Sequence, residues 1–136
     1  MREAFEAAGI TNKQIAPGEI WTVDDTEIAI PRTDPKKRTY HAGGRTCLVL
    51  SNDYICAARH ILTISVAPLT HYADQHNEAE HVIEPSGDNG LDARSCVMLG
   101  HIQPILKIKI FKRVGRLSIN DWEIVLAKVV SNFDRA

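Results

Sequence analysis

The pattern of apolar and polar residues predicts several short β-strands. Short runs that are alternating or continuously apolar, rich in β-branched residues and bounded by Gly, Pro, Asn or Asp are typical of strands. Runs of this kind lie at residues 19–23, 46–50, 61–67, 80–83, 96–99 and 107–111. In the last run Ile108 and Ile110 alternate with Lys107 and Lys109. This predicts one face toward the core and one face of ammonium groups toward water or a ligand.

The clearest local signal is the start of a C-terminal helix. Ser118 and Asp121 have the spacing of a capping box, in which the serine hydroxyl accepts a hydrogen bond from the backbone N–H three residues later. An apolar stripe with helical spacing follows; it consists of Trp122, Val125, Leu126, Val129, Val130 and Phe133. We expect this helix to cover the sheet or to pack against a partner. A second, short amphipathic helix is predicted at residues 2–8.

Many short strands with helices only at the two ends favour a mainly β fold. Parallel strands need helical crossovers, and the pattern contains too few helices to supply them. We therefore predict one domain at residues 17–136, a small and strongly bent antiparallel sheet or open barrel, preceded by a helical extension at residues 1–16. Residues 24–44 are predicted to form a long polar loop, and loops of this length are usually functional or disordered.

Composition places the chain among ordinary globular proteins, with 44% hydrophobic and 24% charged residues. No apolar run approaches the roughly 20 residues needed to cross a bilayer. The first residues lack the apolar stretch of a signal peptide, so we expect a cytoplasmic protein without a membrane partner. The 3 cysteines have no CxxC spacing, which indicates neither a disulfide framework nor a zinc knuckle.

Charge is unevenly distributed along the chain, although the formal net charge is only -1. Residues 32–45 and 101–116 are basic, whereas residues 71–92 contain acidic residues and no Lys or Arg. The small net charge argues against general binding of duplex nucleic acid. If the basic segments fold together, they form a groove for a single strand or an acidic peptide; solvated surface faces are the alternative interpretation.

Two of the predicted strands adjoin polar residues that could bind or activate a substrate. Arg45 follows paired glycines and precedes an apolar run, and Thr70 ends the apolar run at residues 64–69. A guanidinium is permanently charged and its planar fork matches two phosphate oxygens, while a threonine hydroxyl can donate to a third. If the two strands pair, these side chains outline a phosphodiester site. An ordinary surface ion pair is the alternative interpretation for Arg45.

In their order and spacing, several segments resemble the MazF/PemK/Kid toxins of bacterial toxin-antitoxin systems. The segments are Gly18-Glu19-Ile20-Trp21, Gly44-Arg45, Leu48-Val49-Leu50-Ser51, Val66-Ala67-Pro68-Leu69-Thr70, Ser95-Cys96-Val97-Met98-Leu99 and Gly115-Arg116-Leu117-Ser118. The resemblance implies an SH3-like barrel, usually a homodimer, that cleaves single-stranded RNA without a metal or other cofactor. It also implies neutralisation by a cognate antitoxin, with an acidic and partly disordered segment that folds into the basic groove.

The resemblance also implies roles for individual residues. Arg45 matches the family arginine that stabilises the scissile phosphate, and Thr70 matches the Ser or Thr that ends the later strand. Contacts with RNA are expected along the groove from Glu19, Arg38, Ser51, His71, Lys107 and Lys109.

The chain departs from the family pattern at residues 98–106, where the family acid, glutamine and arginine are missing. Cleavage still requires removal of a proton from the ribose 2′-hydroxyl and its return to the leaving oxygen. Histidine suits both tasks near neutral pH. We therefore hypothesise that His41 or His101 replaces the lost carboxylate. The alternative function is a catalytically inactive PemK-like module that binds RNA or a protein partner.

A metal site is a competing interpretation, because His71, His76 and His81 recur every five residues beside acidic side chains. Metal ligands on one helix face need a spacing of three or four residues, and those on one strand face need an even spacing. A spacing of five satisfies neither condition, which favours an acidic flexible insertion without a metal.

Overall fold

The structure, a computed structural model, describes residues 14–30, 36–71 and 79–133. Within these residues the strands are β1 (Glu19–Val23), β2 (Arg45–Val49), β3 (Thr63–Thr70), β4 (His81–Ile83), β5 (Ser95–Val97), β6 (Gln103–Leu106) and β7 (Ile110–Arg116). The α-helices are α1 (Asp53–Ala57) and α2 (Ile119–Phe133), and 3-10 turns lie at Asp25–Glu27, Leu99–His101 and Lys107–Lys109. The helix predicted at residues 2–8 lies outside the described residues.

The strands form one curled antiparallel sheet in the order β4-β5-β3-β2-β1-β7, and β6 pairs with β3 off this path. Every pairing is antiparallel. The predicted mainly β fold with a C-terminal helix is therefore confirmed. The strand predicted at residues 19–23 has the bounds of β1, and the other strands shift by a few residues at their ends.

The central strands bury side chains on both faces. In β2, Cys47 and Val49 belong to one apolar cluster, and Leu48 belongs to the other. This division follows from the two-residue period of a strand. Each fully buried Leu, Ile or Val side chain stabilises the fold by about 1.5–3 kcal/mol. The sheet is therefore a rigid support for the residues at the ends of its strands.

Helix α2 begins where the capping box predicts. The Asp121 N–H donates to Ser118 Oγ over 3.1 Å, and that hydroxyl donates to Asp121 Oδ2 over 3.1 Å. Only part of the predicted apolar stripe covers the sheet, because Val125 is buried whereas Val130 is 67% and Phe133 is 79% exposed.

The predicted strand at residues 107–111 is wrong for residues 107–109, whereas Ile110 and Phe111 belong to β7 and Ile110 is buried as expected. A 3-10 turn at Lys107–Lys109 interrupts the chain between β6 and β7, so the alternation of faces is lost. Lys107 is buried, and its ammonium group donates to Ile55 O over 2.6 Å and to Ala58 O over 2.9 Å. Ile108, expected in the core, is 37% exposed. The turn thus directs the lysine to the carbonyl end of α1 and the isoleucine to water.

The loop between β4 and β5, residues 84–94, is anchored by a buried asparagine. Asn89 is 3% exposed; its Oδ1 accepts from the N–H groups of Ser86 and Leu91, each over 3.0 Å. Its Nδ2 donates to Glu84 O over 2.9 Å. These three hydrogen bonds tie the buried side chain to the backbone at residues 84, 86 and 91, so the loop has a defined path.

Two glycines allow the same loop to lie directly on β7. A Cβ at Gly90, whose φ is +68°, would lie 2.2 Å from Val114 O, and a Cβ at Gly115 would lie 2.3 Å from the carbonyl group of Asn89. Real Cβ atoms do not approach backbone atoms this closely, so glycine is required at both positions.

Candidate active site

A pocket of about 420 Å³ opens where β2 begins and β3 ends. Its lining residues are His41, Gly44, Arg45, Thr46, Leu69, Thr70, His71 and Asp92. The pocket therefore brings a guanidinium, a hydroxyl, two imidazoles and a carboxylate onto one concave surface.

The register of β2 and β3 brings the start of β2 near the end of β3. Cys47 pairs with Pro68 and Leu48 pairs with Ala67. The pairing of β2 with β3 ends there, because Leu69 and Thr70 pair with β5. Arg45 at the start of β2 and Thr70 at the end of β3 nevertheless line the same pocket.

Gly44 forms the tight entry to β2. Its φ is +91°, and a Cβ there would lie 2.6 Å from Val23 O in the neighbouring strand. The Gly44 N–H donates to His41 O over 3.0 Å, which closes a turn. This turn holds His41 at the pocket while the chain enters β2 at Arg45.

Asp25 is a buried carboxylate behind the pocket. Its Oδ1 accepts from Arg45 Nε over 2.7 Å and also from the guanidinium of Arg38. Its Oδ2 accepts from the backbone N–H of His41 over 2.8 Å. The side chain of Asp25 is 1% exposed, compared with 15% for that of Arg45.

The ionisation of Asp25 follows from these contacts. Burial acts to raise the pKa of Asp25, but the hydrogen bonds from the His41 N–H and the Arg45 guanidinium act against it, as do the charges of Arg45 and Arg38. Together they hold the pKa of Asp25 below its usual value of 3.8. The carboxylate is therefore charged at neutral pH.

Arg38, expected to contact RNA, is committed inside the protein. Its side chain is 7% exposed, and its guanidinium donates to the carboxylate of Asp25 and to Ile28 O. The guanidinium carbon also lies 4.5 Å from the centre of the Tyr40 ring. The expectation of an exposed groove residue is wrong for Arg38, because its terminal N–H groups bind Asp25 and Ile28 O inside the protein.

Glu19, Ser51 and Lys107 do not reach the pocket surface either. Glu19 is buried and accepts from Trp21 Nε1 over 3.1 Å and from Arg113 Nε over 2.7 Å. Ser51 is buried and accepts from the Ser65 N–H over 2.8 Å. The three side chains satisfy backbone or side-chain groups of the protein itself, which corrects the expectation that they face RNA.

His101 and Lys109 are exposed or half-buried and are not among the residues that line this pocket. Lys109 Nζ lies 3.9 Å from Asp24 Oδ2 and 4.0 Å from Glu27 Oε1.

Of the residues expected from the sequence, the pocket gathers Arg45, Thr70, His41 and His71. The residues that the sequence analysis missed are Asp25 and Asp92; each lies in a polar loop, where the sequence carries no signal of burial or of a pocket.

His81 bridges β4 and α2, with its Nε2 2.9 Å from Asp121 Oδ1. Of the histidines considered for a metal site, His76 lies outside the described residues. Within residues 14–30, 36–71 and 79–133, no group of three or more His, Cys, Asp or Glu is placed to hold a metal ion. In the same residues, no helix is both long and apolar enough to span a bilayer.

The cysteines are free and buried. Burial raises the pKa of Cys47 and of Cys96 to about 12, and the pKa of Cys56 to about 11. Because the thiolate is the nucleophilic form, none of these thiols is suited to nucleophilic attack at neutral pH.

A curled β half-barrel with a polar pocket at its strand ends defines a small β protein with a candidate site for a polar ligand. Residues 16–133 match the family described as the PemK-like, MazF-like toxin of type II toxin-antitoxin systems, and the chain belongs to this family. The predicted family is thereby confirmed. A comparison with curated proteins found no match.

Solved structures share the fold at low sequence identity. The Mycobacterium tuberculosis toxin MazF-mt6 is 18% identical, with a TM-score of 0.61 over 87% of this chain and 98% of that chain. A chain of the MazE-MazF (Form-II) structure from Deinococcus radiodurans is 15% identical, with a TM-score of 0.65 over 91% and 99%. An endoribonuclease in complex with its cognate antitoxin from Mycobacterial species is 14% identical, with a TM-score of 0.60 over 88% and 92%.

Proposed function

We propose that this protein is an endoribonuclease that cleaves single-stranded RNA and acts in the cytoplasm as the growth-inhibiting toxin of its system. The observation that carries the proposal is the convergence of Arg45, Thr70, His41 and His71 in one pocket. Membership of the toxin family and the likeness to structures named as endoribonucleases support it.

Arg45 and Thr70 supply the binding of the scissile phosphate. Asp25 holds Arg45 at Nε, and a guanidinium has further N–H groups in the same plane. These groups match the non-bridging phosphate oxygens, whose charge grows in the transition state. The hydroxyl of Thr70, on the opposite strand, orients the phosphate for in-line attack.

His41 and His71 supply the proton transfers. One imidazole removes the proton of the 2′-hydroxyl, so that the 2′-oxygen forms a bond to phosphorus. The other donates a proton to the 5′-oxygen as the bond between phosphorus and that oxygen breaks. The products are a 2′,3′-cyclic phosphate and a 5′-hydroxyl, and the positive charge comes from Arg45 without a metal.

The direct test is incubation of the purified protein with a defined RNA in EDTA. We expect cleavage to fragments that end in a 2′,3′-cyclic phosphate and begin with a 5′-hydroxyl, as read by mass spectrometry. Cleavage only after a divalent metal is added would reject the metal-independent mechanism. Binding of RNA without cleavage under any condition would instead favour the inactive binding module.

Replacement of His41 by alanine is expected to lower kcat about 100-fold, because one proton-transfer group is lost. His101→Ala is the matched control, since His101 is not among the residues lining the pocket. Single-turnover cleavage of a fluorescent RNA measures both variants. Equal losses in the two variants, or full activity of both, would contradict the role of His41.

The partners follow from the same proposal. An acidic, partly disordered antitoxin segment is proposed to bind the pocket in competition with RNA; related structures are named as complexes with a cognate antitoxin or as MazE-MazF.

A homodimer stays a prediction. The exposed apolar side chains of α2, including Val130 and Phe133, support it, and sedimentation velocity measures it.

A further inference from the structure

We infer that Asp25 is a positioning residue of the active site, which aligns the Arg45 guanidinium and the turn that carries His41 through one buried carboxylate. This inference rests on the proposed ribonuclease function. Asp25 is not among the residues that line the pocket, so it acts through the groups that are.

The two oxygens of Asp25 serve different parts of the site. Oδ1 accepts from Arg45 Nε over 2.7 Å, and Oδ2 accepts from the His41 N–H over 2.8 Å. The same carboxylate therefore sets the plane of the phosphate-binding fork and the position of the imidazole-bearing turn. Displacement of catalytic groups by about 1 Å can reduce a rate 100-fold, so one such support affects both phosphate binding and proton transfer.

The charges around Asp25 leave one positive charge in excess within this buried cluster. Two guanidinium groups, of Arg38 and Arg45, share one carboxylate, so this cluster carries one net positive charge. Arg38 is buried away from the pocket, whereas the Arg45 side chain retains 15% exposure. Arg45 therefore brings this positive charge to a pocket whose lining also includes the Asp92 carboxylate, in an orientation that Asp25 maintains.

Asp24, next to Asp25 in the sequence, is a useful comparison because its side chain has a local structural role. Asp24 Oδ1 accepts from the Thr26 N–H over 3.0 Å and from Thr26 Oγ1 over 2.7 Å, which caps the turn at Asp25–Glu27. Local support of this turn therefore comes from Asp24. Asp25 instead contacts residues 13, 16 and 20 positions away.

Asp25→Asn and Asp24→Asn form a matched pair for kinetics with full-length protein in EDTA. Asparagine at position 25 keeps the shape of the side chain but removes its negative charge. Its amide NH2 group would also face one of the N–H groups that now donate to Asp25, such as that of His41 or Arg45 Nε. We expect kcat to fall about 100-fold in D25N with a smaller change in KM, because the transition state depends most on alignment. D24N should keep the wild-type kcat, because its amide oxygen can still accept from Thr26.

Further substitution and thermal melting distinguish positioning from loss of fold. In an Arg45→Lys background, D25N should cost less than in the wild type, because the Nε–H contact of Arg45 is already lost and D25N then disturbs only the support of the His41 turn. Equal kcat losses in D24N and D25N that track their melting temperatures, or wild-type kcat in a folded D25N, would overturn the inference.

An NMR measurement on the unmodified protein tests the contact independently of cleavage. The Nε–H of Arg45 should exchange with solvent at least about tenfold more slowly than that of the exposed Arg59, since a buried charged acceptor holds it. Equal exchange rates would overturn the inference. A wild-type protein with slow Arg45 exchange and no RNA cleavage would instead reject the proposed function while leaving the contact confirmed.

Discussion

Replacement of Arg45 by alanine is expected to lower the rate of RNA cleavage about 1,000-fold while the protein stays folded. An arginine that stabilises phosphoryl charge in a transition state contributes about 10³–10⁵ to the rate of other phosphoryl-transfer enzymes. The fold should survive, because Asp25 keeps the Arg38 guanidinium and the His41 N–H as partners. Single-turnover cleavage and circular dichroism measure the two effects.

Arg113→Ala is the matched control for this prediction. Arg113 is also a strand arginine, whose Nε lies 2.7 Å from Glu19 Oε2, but it is not among the pocket residues. Arg45→Lys adds a second comparison, because it keeps the charge and loses the planar fork. Induced expression in a bacterium should arrest growth with the wild type and R113A, and not with R45A. Equal cleavage by R45A and R113A would contradict the proposed site.

Replacement of Gly115 by alanine is expected to destabilise the protein by about 3 kcal/mol, the upper part of the usual range for overpacking. The new Cβ would lie 2.3 Å from the Asn89 carbonyl and 2.5 Å from Asp88 O. Backbone atoms of an anchored loop cannot move aside as a flexible side chain can. The melting temperature should therefore fall by about 10 °C, which differential scanning calorimetry measures.

Gly87→Ala tests the same loop without a clash. No atom lies within 4 Å of the Cβ that alanine would add at Gly87. Its melting temperature should stay at or slightly above the wild-type value, because alanine reduces the entropy of the unfolded chain. Equal melting of G87A and G115A would show that the close approach of the loop to β7 is not a constraint. The comparison also bears on the pocket, since Asp92 lies in this loop.

Local rules predicted the elements whose causes are local. The alternation at β1 and the apolar run at β2 depend on neighbours in sequence, and the cap at Ser118 depends on a side chain three residues away. The short helix α1 was missed, although Asn52 is a good N-cap and its Oδ1 accepts from the Ile55 N–H over 3.0 Å. A helix of five residues has too weak a periodic signal to be distinguished from a loop.

Polar residues in the interior were beyond prediction from the sequence. Lys107 was assigned to a solvent face, because in a continuous strand it would alternate with isoleucine. Its burial depends on the carbonyl groups of Ile55 and Ala58, which accept hydrogen bonds from its ammonium group. The turn at Lys107–Lys109 brings the ammonium group within reach of them. The sequence likewise cannot separate Asp24 from Asp25, two adjacent and chemically identical side chains. Only the packing of residues 38–45 against the turn makes one a cap and the other a buried ion.

The sequence by itself determined that the chain is a mainly β toxin-family protein with a terminal helix, and that Arg45 and Thr70 are the residues to examine. The fold class follows from periodicity and caps, which depend on neighbouring residues, whereas the family follows from a resemblance in the order and spacing of short motifs. The tertiary structure decided which charges meet: His41, His71 and Asp92 join the pocket, His101 does not line it, and Asp25 lies behind Arg45. Strand register and loop packing bring together residues that are far apart in sequence, so they decide which of these side chains share the pocket.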